Sequence, residues 1–414
     1  MNIKLKYLLF LRYIYRTIYL TQYLNKETMK TIVSDIIGRD KEIKELHVIL
    51  EQTSIVMSST RRMGKTMILT KMDEIHHSGT KTMLCFVESV QSAEEFVNFL
   101  RDKLIEKKLV NANGFTNVMD WINTNLGKKD VGFFKTPDFA RHWKIILNLM
   151  MDDLVEKHTG QVILMLDEFP KMLWTMIQNG NHQQAEEVLD ELRHIRERHE
   201  KRSKLRFIYC GSIGMNLVIN NLVKEFKYAG APLNNMYHYI VKEMSLEDAT
   251  LLIKHLVEKH KINLRDDLIE YLAKACSCLP FFIDRIFIQL KLSFSVTAVT
   301  QSGIDKIVDA FISGRENNNQ FNHFTERIDA YYNKEEKRIA HELLRNLSKS
   351  NELMTSETLL NLVKTKILAE DYEISEILAD LFDDMYVDRV TSDESIGYQF
   401  RFILLKKWWR LNFA

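Results

Sequence analysis

Proline and glycine are scarce, at 4 and 14 in 414 residues. So few chain breakers argue against an all-β sandwich or a string of flexible linkers, and for long helices with short connections. Cysteine is scarce as well: Cys85, Cys210, Cys276 and Cys278 are the whole supply. Two of them sit in apolar, strand-like runs, and Cys276-x-Cys278 has no second pair at zinc spacing. A disulfide framework and a zinc site are therefore not expected, which leaves a reducing cytoplasm as the expected compartment. Excess charge is missing too. With 57 Lys+Arg against 56 Asp+Glu, the formal charge of +1 excludes a chain that coats nucleic acid by charge alone. The 46% hydrophobic content equally excludes an acidic, disordered solvating chain. At about 100–200 residues per domain, the length corresponds to two to four domains with real cores.

Residues 1–28 differ from the rest. They carry five of the fifteen tyrosines, and five basic residues against Glu27, so they are net +4 while the remainder is −3. Arg12 and Arg16 interrupt the apolar run, so no stretch of about 18 residues could span a bilayer. No small-residue cleavage site follows Leu20, which argues against a signal peptide. A basic aromatic helix on a membrane surface is one reading. The preferred one is a non-native extension, with the globular pattern beginning at Met29.

From Met29 onward, strand-like and helix-like segments alternate. Apolar runs at 53–57, 82–90, 161–169, 205–210 and 237–241 read as strands. Helical spacing appears over 42–52, 64–74, 93–108, 139–158 and 183–202. Residues 111–137, with Gly114, Gly127 and Gly132, look like a surface insertion. Near-continuous apolar strands separated by helices are what a parallel sheet covered on both faces requires. After Ser245 the strand pattern gives way to helices at 246–259, 264–276 and 281–294. The tail ends in two short strands, 386–390 and 398–402, which suggests a winged helix-turn-helix. The expected organisation is an α/β core over 29–244, a helical lid over 245–304 and a winged-helix-like domain over 305–414.

The most informative segment is Ser58-Ser59-Thr60-Arg61-Arg62-Met63-Gly64-Lys65-Thr66, which follows an apolar strand and opens a helix through Met67. That is the context of a phosphate loop, with Ser59 in place of its first glycine. Loop amides and the helix N-terminus face anionic phosphates there. Lys65 can reach the β- and γ-phosphates, and Thr66 can offer its hydroxyl to Mg²⁺. Serine at position 59 is expected to cost some of the backbone freedom of glycine. Downstream, the five apolar residues of 162–166 run into Asp167-Glu168. In a parallel sheet such strand ends meet at the ligand crevice, so Asp167 is a candidate Mg²⁺ ligand and Glu168 the candidate base for the attacking water.

These segments resemble the STAND-type AAA-related P-loop ATPases, in particular the archaeal-type branch common in prokaryotes, from about Ile37 to the C-terminus. Ile37-Gly38-Arg39-Asp40-Lys41-Glu42 is similar to the family's motif beside the adenine. Arg61-Arg62-Met63-Gly64-Lys65-Thr66 resembles its double-arginine phosphate loop. Leu166-Asp167-Glu168-Phe169-Pro170 is similar to its catalytic strand. Cys210-Gly211-Ser212 resembles the strand with the polar sensor, which implies Ser212 as the γ-phosphate sensor. Cys278-Leu279-Pro280 stands where the family has Gly-x-Pro, which implies that Pro280 contacts the base. Tyr398-x-Phe400-Arg401 and Trp408-Trp409 resemble the end of its winged helix.

The resemblance implies ATP and Mg²⁺ as cofactors and an ATP-driven molecular switch with a homo-oligomer or protein partner. A nucleotide-held scaffold without turnover and a DNA-binding regulator similar to origin-recognition ATPases are the alternatives. For DNA, residues 193–206 offer seven basic side chains against Glu197 and Glu200. They read more simply as the solvated end of a long helix. The expected recognition region, 358–366, offers only Lys364 and Lys366, which is thin for phosphate contacts. Trp408 and Trp409 read as a hydrophobic cap, and His76-His77 lacks partners at metal-ligand spacing.

Overall fold

The structure, a computed structural model, describes residues 36–414 except 76, 111–114, 126–136, 201–203, 295–297, 315–317 and 392–395. Residues 1–28, Met29, His76, Lys201 and Arg202 lie outside the described residues.

Five strands, β1 (Ser54–Ser58), β2 (Thr80–Phe86), β3 (Gln161–Asp167), β4 (Leu205–Cys210) and β5 (Met236–Ile240), form one parallel sheet in the order β2-β3-β4-β1-β5. Around it run α1 (Asp40–Gln52), α2 (Lys65–Glu74), α3 (Ala93–Glu106), α4 (Thr116–Asn125), α5 (Pro137–Lys157), α6 (Phe169–Gln178), α7 (His182–Glu200) and α8 (Met215–Phe226). Alternation along each strand sends its side chains to two faces. Ile55, Met57, Ile163, Met165, Ile208 and Cys210 join one buried cluster; Val56, Val162, Leu164, Leu166, Phe207 and Tyr209 join the other. This is why the strands read as continuous apolar runs.

Two expectations are corrected here. The stretch 111–137 is not merely a surface insertion. It contains α4, whose approach buries Phe115 and Val118, and the buried carboxylate of Asp153 accepts from the N–H groups of Asn117 and Val118 at the helix start. The basic stretch 193–206 is not simply a solvated helix end or a DNA surface. Arg196 is 1% exposed and donates to the Pro232 and Asn234 carbonyls at 2.9 and 2.7 Å. Arg206, also 1% exposed, donates to the Leu50 and Gln52 carbonyls that end α1. Both guanidiniums are interior fasteners.

Four helices follow the sheet: α9 (Leu246–His260), α10 (Asp266–Ala275), α11 (Pro280–Ser293) and α12 (Gln301–Ser313). The Ser245 hydroxyl caps α9 by accepting from Asp248 N–H. The chain continues through α13 (Asn318–Tyr331), α14 (Lys334–Lys349), β6 (Met354–Thr355), α15 (Ser356–Lys364), α16 (Asp371–Asp383), β7 (Val387–Thr391), β8 (Ile396–Phe400) and α17 (Ile403–Phe413). β6, β8 and β7 make a small antiparallel sheet, and Trp408 and Trp409 of α17 are buried in its core. The apolar cluster on the β1–α2 side of the large sheet is continuous through α9–α12 to this C-terminal part.

The helix that leads into the β7–β8 hairpin is α16, not the expected 358–366, which falls on α15 and the turn after it. α16 carries five acidic residues and no basic one. The Asp380 carboxyl there is pushed up to about 7, chiefly by burial and then by Asp384 and Glu376.

Two measurements follow. Arg196→Ala leaves buried carbonyls without donors and is expected to cost about 2–4 kcal/mol in urea unfolding, whereas the exposed Arg198→Ala stays within about 1 kcal/mol. Asp380 has a folded pKa above its unfolded value, so between pH 4 and 7 the native state holds the extra proton and stability falls as pH rises. Asp380→Asn should match wild type near pH 4 and melt a few degrees higher at pH 8.

Candidate functional site

β4 lies between β1 and β3, so the loops leaving the C-terminal ends of these three strands converge. The loop after β1 wraps the side chain of Lys65. Its ammonium, 7% exposed, donates to the Ser59 carbonyl at 3.0 Å, the Ser59 hydroxyl at 2.8 Å and the Thr60 carbonyl at 3.0 Å. Burial lowers its pKa, and the nearby Arg327 guanidinium lowers it further, while Glu168 and Asp167 pull it up.

The left-handed residues of this loop are Arg62 (φ 73) and Gly64 (φ 85). The conformational cost expected at Ser59 does not arise, because Ser59 is not at a positive φ; its hydroxyl instead bridges Lys65 and the Thr60 carbonyl at 2.9 Å. At Cys278, where glycine was expected, φ is 52, so a side chain occupies a backbone state glycine favours.

Thr66, on the first turn of α2, donates its hydroxyl to Asp167 Oδ2 at 2.7 Å. Burial raises the Asp167 pKa, opposed by that hydrogen bond and reinforced by repulsion from Glu168. Glu168 adopts φ 60, ψ 27 at the N-terminus of α6. This left-handed turn swings its carboxylate toward the loop after β4, where Oε2 accepts from the Ser212 hydroxyl at 2.8 Å and the Ser212 N–H at 3.1 Å. A close approach makes this possible: a Cβ on Gly211 would lie 2.6 Å from Pro170 Cδ.

A cavity of about 650 Å³ opens over these groups. Its walls include Arg61, Arg62, Met63, Gly64, Lys65, Thr66 and Met67 from the loop after β1 and the start of α2, with Glu168, Ser212 and Pro280. Five expected residues do not line it. Ser59 and Thr60 are buried behind the lysine, while Gly38 and Arg39 form a clamp at one side. Arg39 donates to the Met63 carbonyl at 2.8 Å, the Lys242 carbonyl at 3.0 Å and, through its backbone N–H, Asp248 at 3.2 Å. Asp167 reaches the site only through Thr66.

Besides the ion-paired Glu88 and Lys171, the sequence reading missed two helical walls: Leu252, His255, Leu256 and Lys259 of α9, and Phe281 and Asp284 of α11. Their helical spacing was visible, but it reads as core rather than as a ligand wall. Also missed was the environment of Arg62, whose guanidinium stacks 4.0 Å over the Phe281 ring and donates to His323 Nε2. Burial and the charges of Arg62 and Arg61 hold the His323 pKa down. Among the described residues no cluster of three His, Cys, Asp or Glu side chains could hold a metal, and no helix is long and apolar enough to cross a membrane. The hard oxygens of Thr66 and Asp167, side by side, fit the donor set that Mg²⁺ takes when the rest comes from phosphate and water.

No protein-family model matches the chain, and no curated protein does. Solved structures do match. A Walker-type ATPase of Pyrococcus abyssi aligns over 91% of this chain and 97% of that one, with TM-score 0.61 and 12% identity. The RuvB Holliday junction branch migration motor of Thermotoga maritima aligns over 87% of this chain and 92% of that one, with TM-score 0.36 and 9% identity. A Signal Transduction ATPase with Numerous Domains (STAND) from Pyrococcus horikoshii, with a tetratricopeptide repeat sensor, aligns over 91% of this chain and 42% of that one, with TM-score 0.35 and 14% identity. At such identities the likeness is one of fold. The chain shares the fold of that Pyrococcus abyssi structure: a parallel α/β core with a crevice at the strand ends.

The Gly211 approach gives a direct test. Gly211→Ala forces the loop after β4 away from Pro170 and should destabilise the protein by about 1–3 kcal/mol in denaturant unfolding.

Proposed function

We propose that this chain is an ATP-binding and ATP-hydrolysing molecular switch that works with Mg²⁺. The observation that carries the reading is the convergence on one cavity of a buried loop lysine, the Thr66–Asp167 pair and the Glu168–Ser212 pair. Residues 29–244 would be the ATPase core, 245–304 a helical lid over the base and 305–414 a winged-helix-like domain. The order of α14, β6, α15, α16, β7 and β8 supports the last assignment. The double-arginine loop and the proline after the acids support the STAND-type, archaeal-type branch.

Each residue then has a task. Lys65 turns its ammonium from the loop carbonyls to the β- and γ-phosphate oxygens, and the N–H groups around Gly64 and Thr66 complete the cradle. Thr66 and Asp167 would hold Mg²⁺, whose charge offsets that developing on the phosphates. Met67, Leu252, Leu256 and Pro280 supply apolar walls for the base. Glu168 accepts a proton from the attacking water once Ser212 releases it, and Ser212 then faces the γ-phosphate. The Glu168–Ser212 bond holds the base away from water, which favours slow turnover and keeps a nucleotide-held scaffold as the second reading.

A DNA-reading role has less support. Arg196 and Arg206 are interior, and the helix before the β7–β8 hairpin carries five acidic residues and no basic one.

Lys65→Ala is expected to abolish nucleotide binding in a fluorescent-nucleotide titration. Glu168→Gln should bind normally but lower phosphate release by about 10²–10⁴-fold. Unchanged phosphate release in both variants removes the switch, and stoichiometric bound nucleotide with no release in wild type selects the scaffold.

A further inference from the structure

The C-terminal part holds a second hollow, of about 530 Å³, which shares no residue with the cavity at the strand ends. It follows from the two-sided pattern of α14. Ile339, Ala340, Leu343, Leu344 and Leu347 turn one face of that helix into the core. The other face brings Lys337, Arg338, His341 and Arg345 together on successive turns. The turn after α15 meets it with Lys366 and the buried Ile367, and the end of α17 adds Phe413. The His341 ring packs against Trp409 and Phe413, with centroids 5.6 and 5.8 Å away. Burial lowers its pKa, so at neutral pH it extends the apolar floor rather than adding charge.

Lys337, Arg338, Arg345 and Lys366 place four positive charges in walls that hold one carboxylate, Glu342. That carboxylate is already engaged: Asn346 donates to it at 3.4 Å, and Arg345 Nη1 stands 3.5 Å away. Arg338 is held by Glu335 at 2.9 Å, outside the hollow. Among the described residues neither Lys337 nor Lys366 has an acidic partner, and Arg345 Nε is buried without a hydrogen bond. Solvated helix faces elsewhere in the chain pair each cation with an acid three or four residues away, as in Lys103–Glu106, Arg193–Glu197 and Lys274–Glu270. Here the cations outnumber the acids and converge on a floor that is apolar, where an anion that several of them reach relieves their repulsion.

The anion has to be compact. Helix α16, packed against α14, carries five acidic residues and no basic one, so a duplex laid across this end meets repulsion. A monocarboxylate would offset only one of the spare charges. A phosphate monoester is close to a dianion at neutral pH, and its oxygens point in several directions, which suits ammonium and guanidinium donors arriving from different elements. We propose that this hollow binds a phosphate monoester: Lys337, Arg345 and Lys366 take the phosphoryl oxygens, and the organic part lies on His341, Ile367 and Phe413. The site is independent of the nucleotide reading.

The test is isothermal titration of the full-length chain with phenyl phosphate, inorganic phosphate and a short DNA duplex. Phenyl phosphate is expected to bind about tenfold or more weakly in Lys337→Gln/Lys366→Gln, and within about twofold of wild type in Lys65→Ala. Neither lysine of the double variant is buried, so its core is kept. Inorganic phosphate, with no organic part to rest on Phe413, should bind the same site about tenfold more weakly than the ester. Wild type that does not bind phenyl phosphate, or a loss in Lys65→Ala as large as that in the double variant, overturns the proposal. Equal affinity for the two phosphates overturns the ester in favour of the free ion. Duplex binding that disappears in the double variant overturns the compact ligand in favour of nucleic acid.

Discussion

A buried ammonium organises the centre of this molecule. Removing a charge from water costs several kcal/mol unless hydrogen bonds replace the lost hydration. Lys65 obtains them from Ser59 and Thr60, a few residues upstream in its own loop. Turning those carbonyls inward curls the loop, and the curl is completed by left-handed backbone at Arg62 and Gly64. The same curl projects Arg62 outward, onto Phe281 of α11 and His323 of α13. Thus the local need to solvate one lysine determines how two later segments of the chain engage the loop.

The position of β4 supplies the second constraint. Because it separates β1 from β3, the loop after it runs between the Lys65 loop and the two acids. Ser212 thereby meets Glu168, and the backbone at Gly211 can come close to Pro170 only because it has no side chain. The strained turn at Glu168 and the small residue opposite it are two halves of one arrangement.

Much of this was legible in the sequence because it follows from local pattern. The strands announce themselves by apolar runs, since both sheet faces are covered, and Gly64-Lys65-Thr66 and Asp167-Glu168 stand where such runs end. What was not legible depends on partners distant in the chain. The cap for α4 is Asp153, across a glycine-bearing stretch that resembles a loop. Arg196 and Arg206 look like surface charges until the carbonyls of 232–234 and 50–52 arrive to bind them. The α9 wall of the cavity uses the same apolar spacing as an ordinary core helix. Ser59 was expected to strain the loop, but the strain falls on Arg62, a position no residue preference marks.

The four-residue spacing along α13 also has a mechanical consequence. His323, Arg327 and Tyr331 are mounted on one helix, each against a different part of the α/β core. A shift of one helical turn, about 5.4 Å, moves all three by the same distance. The helix cannot give up one contact by sliding and keep the other two. A slide of the helix along its axis therefore acts on all three contacts at once.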